Sequence, residues 1–288
     1  MKLSVQPAGP LLRFRRCLMG LFSTLASASF VALAPQAADA ADLARLSKFD
    51  DASQEQVDHS AWREFLQAYL DAAASDRVHR VHYSAVTSED REKLDRYIGA
   101  LSRRDPTSLS RTEAFAYWVN LYNALTIDLI LDRYPVKSIR DIKPSPIAIG
   151  PWRIEIVAVM GESLSLDDIE HKILRAAFKD PRVHYAVNCA SIGCPNLRAE
   201  PFIGAALDEA LDAAAREYVN HPRGVRFDGD GRLTVSSIYK WFKEDFGGSD
   251  ASVIAHLEAY AEPALAARLG SVSKIAAYDY DWTLNDAK

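Results

Sequence analysis

Residues 111–134 read RTEAFAYWVNLYNALTIDLILDRY, and the reading of this stretch decides the fold. Apolar residues occupy almost the whole circumference of a helix here, so the spacing predicts a central helix buried on all sides. Pro135 ends it, because the residue before a proline is pushed out of the helical region. Such a helix needs partners around it, and the flanking sequence supplies them. Upstream, Trp62, Phe65, Leu66, Tyr69 and Leu70 recur at three and four, an amphipathic helix. VHYSAV (81–86) reads as extended, and SEDREKLDRYIGALSRRD as a helix capped by Ser88 and ending before Pro106. Downstream, residues 135–151 carry four prolines and a glycine and form a loop. WRIEIVAV (152–159) reads as a strand, and residues 166–178 as a helix with Ser165 as cap and Asp168 in the capping-box position.

RVHYAVN (182–188) is expected to be a strand, IGAALDEALDAAAREYVNH (203–221) a helix and GVRFDGDGRLTVSS (224–237) a hairpin. Helices around IYKWFKEDF and SVIAHLEAYAEPALAARL complete the chain before a terminal AAYDYDWTLN. Helices and short strands alternate without a regular β-α-β period. The expectation is therefore an α+β fold, a single domain of packed helices around a small mixed or antiparallel sheet.

The N-terminus has another character. Arg13, Arg15 and Arg16 precede an apolar run from Cys17 to Ala34, followed by small residues and an Ala38-Asp39-Ala40 site. That order is expected of a secretory signal peptide over residues 1–40, with a polar leader over 41–59 and the folded domain over 60–285. An uncleaved N-terminal anchor is the alternative, and the expected link to a membrane, if there is one. Phe14, Arg15 and Arg16 stand where a lipobox before Cys17 would need small and apolar residues. The expected location is periplasmic or secreted. Without residues 1–40 the remaining 248 residues carry a formal charge of −8, which argues against a nucleic-acid or anionic-membrane surface. The expected partner is a small-molecule or protein substrate of unknown identity.

Chemistry gathers at three places. On the helix 166–178, Glu170 shares the apolar face with Leu166, Ile169, Ile173 and Leu174 while His171 sits at its flank, so a buried carboxylate adjoins a candidate general base. Glu170 either tunes an active-site group or pairs with an arginine such as Arg175 or Arg198. In the central helix, Asn120 and Asn123 lie three apart; buried amides need partners, and these either clamp a loop's backbone or line a pocket as substrate-binding donors.

The third place is RVHYAVNCASIGCPNLR (182–198), with Cys189 and Cys194. As a strand it would put His184 about 16 Å from Cys189, so His171 is the better base for a Cys189 nucleophile, with Glu170 to orient it. A disulfide between Cys189 and Cys194 closes a short ring, stabilising by roughly 2 kcal/mol. A metal site has no second thiol pair or H-E-x-x-H to complete it, and no metal or cofactor is expected. Trp241, Phe242 and Phe246, with Tyr278, Tyr280 and Trp282, read as core and sheet-edge packing.

AYWVNLYNALTI, LSLDDIEHKILR, RVHYAVNCASIGCPNL, YKWFKEDF and YDYDWTLN occur in the order that resembles the DUF547 family, over roughly residues 60–285. The resemblance implies membership without an assigned reaction. As known in that family, the second cysteine position tolerates serine, which makes a Cys189–Cys194 bond optional. Two functional readings stand: a thiol-dependent hydrolase or acyltransferase built on Cys189, His171, Glu170 and His184, or a non-catalytic binding domain with a structural disulfide.

Overall fold

The central helix forms as its sequence dictates. In the computed structural model, which describes residues 40–287, it spans Arg111–Arg133, and every residue from Glu113 to Ile127 is buried. Ser110 caps it, its hydroxyl accepting the Glu113 N–H at 3.4 Å. By length and apolarity this helix could cross a membrane, but its surface is taken up inside the protein. Each of the buried Val119, Leu121 and Ile127 side chains contributes about 1.5–3 kcal/mol by leaving water.

Helix Ser88–Ser102 packs against it and in turn carries helix Ser60–Tyr69, and Asp168–Phe178 also packs against it. The cap of helix Ser88–Ser102 is Thr87 rather than Ser88: its hydroxyl accepts the Asp90 N–H at 3.1 Å. Among the described residues the strands are short and fall into three sheets. β1 (Leu70–Asp71) pairs with β2 (Arg80–Val81), and β3 (Val157–Val159) with β4 (Glu162–Leu164), both antiparallel. β5 (Val225–Phe227) pairs antiparallel with β6 (Leu233–Ser236), which pairs parallel with β7 (Ala277–Asp279). The fold is α+β, with helices dominant and the largest sheet mixed.

Several local expectations are corrected. The strand expected at 182–188 is a helical turn, Val183–Ala186. Residues 183–188 are buried without exception, Tyr185 in one apolar core and Val183, Ala186 and Val187 in the other. A short run buried all round carries no alternation, so periodicity cannot tell helix from strand. WRIEIVAV contributes only its last three residues to β3, and VHYSAV gives up its extended form after Val81 for a tight turn at Tyr83–Ala85. Residues 41–59 are more than a leader. Leu43, Leu46 and Val57 are buried in the main core, and the Val57 N–H donates to Glu113 Oε1 at 2.7 Å. The signal peptide expected over 1–40 lies, Ala40 apart, outside the described residues.

Candidate active site

The capping box at the start of the Glu170 helix is present: Ser165 Oγ accepts the Asp168 N–H at 3.2 Å and Asp168 Oδ2 accepts the Ser165 N–H at 2.9 Å. The helix then winds with π-type i→i+5 bonding from Asp168 to Phe178, a rare pitch that recurs at functional sites. It carries Glu170 inward, 8 % exposed, where Oε2 accepts the Tyr122 hydroxyl at 3.1 Å. The arginine expected as its partner is engaged elsewhere. Burial raises the Glu170 pKa, against the opposing pull of His171, the Tyr122 hydroxyl and Arg175.

That shift has a sign for stability. A carboxyl whose folded pKa is raised favours the folded state most below its unfolded pKa, and the gain is lost as pH rises through the folded value. Glu170→Gln keeps the acceptor for Tyr122 and removes the charge. The variant should be more stable than the parent above the folded pKa of Glu170, with the gap closing in acid, in urea titrations across that range.

His184, which a strand would hold about 16 Å from Cys189, lies on the helical turn and is buried. Its Nε2 is 2.7 Å from Asp245 Oδ2 and its Nδ1 is 3.9 Å from Glu170 Oε1, so the imidazole stands between two carboxyl groups. Phe242 stacks on it at 4.1 Å between ring centroids. Burial lowers the His184 pKa despite Asp245. With Nε2–H donated to Asp245, the free Nδ1 lone pair faces Glu170. Asp245 resists burial because His184 and Arg175 both donate to it, and its pKa falls well below the usual carboxylate range. Arg175 grips it with two bonds, Nε to Oδ2 at 2.6 Å and Nη2 to Oδ1 at 3.0 Å. The same guanidinium reaches His171 Nδ1 at 3.2 Å. A guanidinium only donates, so Nδ1 of His171 accepts and its proton sits on Nε2.

Both cysteines are free thiols, Cys189 half-buried and Cys194 buried. The chain turns sharply enough to bring them together: Ala190 takes a left-handed φ of 56°, with its N–H held by Asn188 Oδ1 at 2.8 Å. The Cys189 N–H donates to Cys194 Sγ at 3.0 Å. The Tyr280 hydroxyl reaches both sulfurs, at 3.2 Å from Cys189 and 3.1 Å from Cys194. Gly193 makes this approach possible, since a Cβ there would stand 2.8 Å from the Asp281 backbone. Burial pushes the Cys194 thiol up, but hydrogen bonds from the Cys189 thiol, Tyr280 and the Cys189 N–H outweigh it and bring the pKa to about 7. Cys189 moves the other way, raised by its bond to Cys194 and by burial. The two sulfurs titrate as a pair, in which the thiolate favours Cys194. Among the described residues no imidazole hydrogen-bonds to Cys189 Sγ, whose partners besides Cys194 are Ser191 and Tyr280.

Glu170, His171, His184, Cys189 and Cys194 all line one cavity of about 220 Å³. Its other walls are aromatic, and here the packing reading of the C-terminal segments is corrected. Trp241 is 47 % exposed and, with Phe242, Tyr280 and Trp282, faces the cavity, while Phe246 alone of its helix turn is core. Tyr280, Trp241 and Trp282 pack on one another at 4.7–5.5 Å between centroids. Sequence reasoning missed Tyr122, Arg175, Trp152 and Asp245 as site residues. Asp245 had a signal, an acid inside the aromatic segment YKWFKEDF.

The substrate-contact reading of Asn120 and Asn123 gives way to backbone clamping, and neither lines the cavity. Asn120 holds both the C=O and N–H of Phe202, at 2.7 and 3.1 Å. Asn123 donates to the Ala186 C=O at 3.0 Å and accepts the Asn188 N–H at 2.8 Å. Thus the central helix fixes the segment that presents His184 and Cys189. Among the described residues no three His, Cys, Asp or Glu side chains are arranged to hold a metal ion.

The site is thus two thiols, a buried carboxyl group and two histidines around one aromatic-walled cavity in an α+β fold. Residues 106–219 match the family model DUF547, described as a protein of unknown function. That span is shorter than the 60–285 expected; it holds Glu170, His171, His184 and both cysteines, whereas Trp241, Asp245, Tyr280 and Trp282 lie beyond it. No curated protein and no solved structure matches the chain.

Proposed function

We propose that the protein is an exported thiol-dependent hydrolase or acyltransferase with Cys189 as nucleophile. The observation that carries this reading is the placement of Cys189, Cys194 and Glu170 around one aromatic-walled cavity. Cys189 Sγ attacks the acyl carbon and passes its proton to the Cys194 thiolate. The leaving group departs with the proton of Glu170, which burial favours in the protonated form. A thioester on Cys189 remains. Water, or a second nucleophile in the transferase case, then attacks it and gives a proton to Glu170, while Cys194 returns its proton to Cys189 as the C–S bond breaks. His184, set by Asp245 and Arg175, positions Glu170. Export rests on the N-terminal segment alone.

The test is a brief reaction of the unreduced protein with nitrophenyl acetate, followed by intact mass and peptide mapping. An acetyl group on Cys189 is the expected result. Unmodified protein whose mass is lower by two hydrogens supports instead the binding reading with a Cys189–Cys194 disulfide, and overturns the proposal. Modification of Cys194 alone overturns the assignment of the nucleophile.

A further inference from the structure

Trp282 lines a second hollow besides the thiol cavity, a groove of about 480 Å³. Its floor comes from the segment after the central helix, which brings Lys137, Arg140 and Lys143 to one place, with Ile149 as an apolar edge. In a chain of formal charge −5, this is a local excess of cations. Arg140 is half-buried with its guanidinium 5.3 Å from the Trp282 ring centroid. Its neighbours leave it free: among the described residues none of these three cations pairs with a carboxylate, and the Arg140 guanidinium donates no hydrogen bond. By contrast Arg91, Arg153 and Arg175 all find acids. Two carboxylates, Asp141 and Asp281, share the groove. Asp281 Oδ1 already accepts the Thr283 N–H at 2.8 Å, which leaves the balance of open hydrogen-bonding capacity on the donor side.

A guanidinium held over a ring with its fork open is suited to a planar or tetrahedral anion, and the flanking ammoniums add charge without demanding geometry. We infer that the groove is an anion subsite of the thiol cavity, so that the substrate joins an apolar or aromatic part, seated against Trp241 and Trp282, to a carboxylate or phosphate seated on Arg140, Lys137 and Lys143. This substrate class rests on the thiol-acyl reading of the cavity. The groove itself can be tested without turnover.

The measurement is calorimetric binding of naphthyl phosphate, naphthoate and naphthol to the intact protein, the parent compared with an Arg140→Gln, Lys143→Gln double variant. The parent should bind at least one of the two anions about tenfold more tightly than naphthol, the scale of one charge-assisted hydrogen bond. That preference should shrink as salt rises. Phosphate favoured over carboxylate, or the reverse, identifies the group. The double variant should bind all three alike while its Cys189 is alkylated at the parental rate. Equal binding of anion and naphthol by the parent, or a preference that survives in the double variant, overturns the subsite. The same titration on Cys189→Ser separates the two readings: an anion preference there, in a protein whose parent forms no acetyl adduct, keeps the groove and removes the thiol chemistry.

Discussion

Cys189→Ser should abolish both the fast alkylation of the protein near neutral pH and acyl transfer, the latter by about three orders of magnitude or more. A hydroxyl cannot give up its proton to a thiolate as a thiol can, and the remaining sulfur, Cys194, belongs to a residue only 3 % exposed. The fold should stay intact, because among the described residues Cys189 Sγ bonds only to its cavity neighbours Ser191 and Tyr280 and to the Cys194 thiol. Cys194→Ser has a different signature. Cys189 keeps its place and still forms the adduct, but its proton has lost its acceptor. The alkylation rate of the parent should climb around pH 7 as Cys194, its pKa lowered to about 7, becomes the thiolate that takes the Cys189 proton; in Cys194→Ser, without that base, the rise should come at higher pH. If both serine variants lose stability equally and the parent shows no reactive thiol, the two sulfurs are a staple and the cavity binds without reacting.

The parts of the molecule that sequence reading reached are those where one physical effect dominates. The central helix was legible because apolar residues around a full circumference have one outcome in a folded chain. Glu170 was legible as a buried carboxylate because its helix carries a clean apolar face. The segment 182–188 that leads to Cys189 reads as a strand because it is wedged between two cores and shows no exposed face to mark a period. That error propagated: stretched out, His184 stood far from the thiol, whereas the helical turn lets it line the same cavity. The hydrogen bonds that tune the site were out of reach for a further reason. Asp245 meets His184 across 61 residues and Tyr280 meets Cys189 across 91, separations at which only the packed fold chooses partners. The aromatic residues of the C-terminal segments were equally ambiguous, since Trp and Tyr serve cores and ligand walls alike.

The dependence of the site on the central helix leads to the second large effect. Asn123→Ala should lower stability by about 2–4 kcal/mol, because it strands the buried Ala186 C=O and Asn188 N–H, each worth roughly 1–3 kcal/mol when left unpaired. Urea midpoints at constant slope measure it. Thr126→Val, three positions on in the same helix, removes only a hydroxyl that bonds back to the Tyr122 C=O, and should cost about 1 kcal/mol or less. The informative readout is the thiol titration of the two variants side by side. Asn188, once released from Asn123, holds the Ala190 N–H and the Pro195 C=O less firmly, and these two bonds set the distance from the Cys189 N–H to Cys194 Sγ. In Asn123→Ala the alkylation midpoint should therefore rise from near pH 7, while in Thr126→Val it stays. A midpoint unmoved in both variants would mean that the loop from Asn188 to Pro195 tunes its own sulfurs, and that the central helix supports the site without shaping its chemistry.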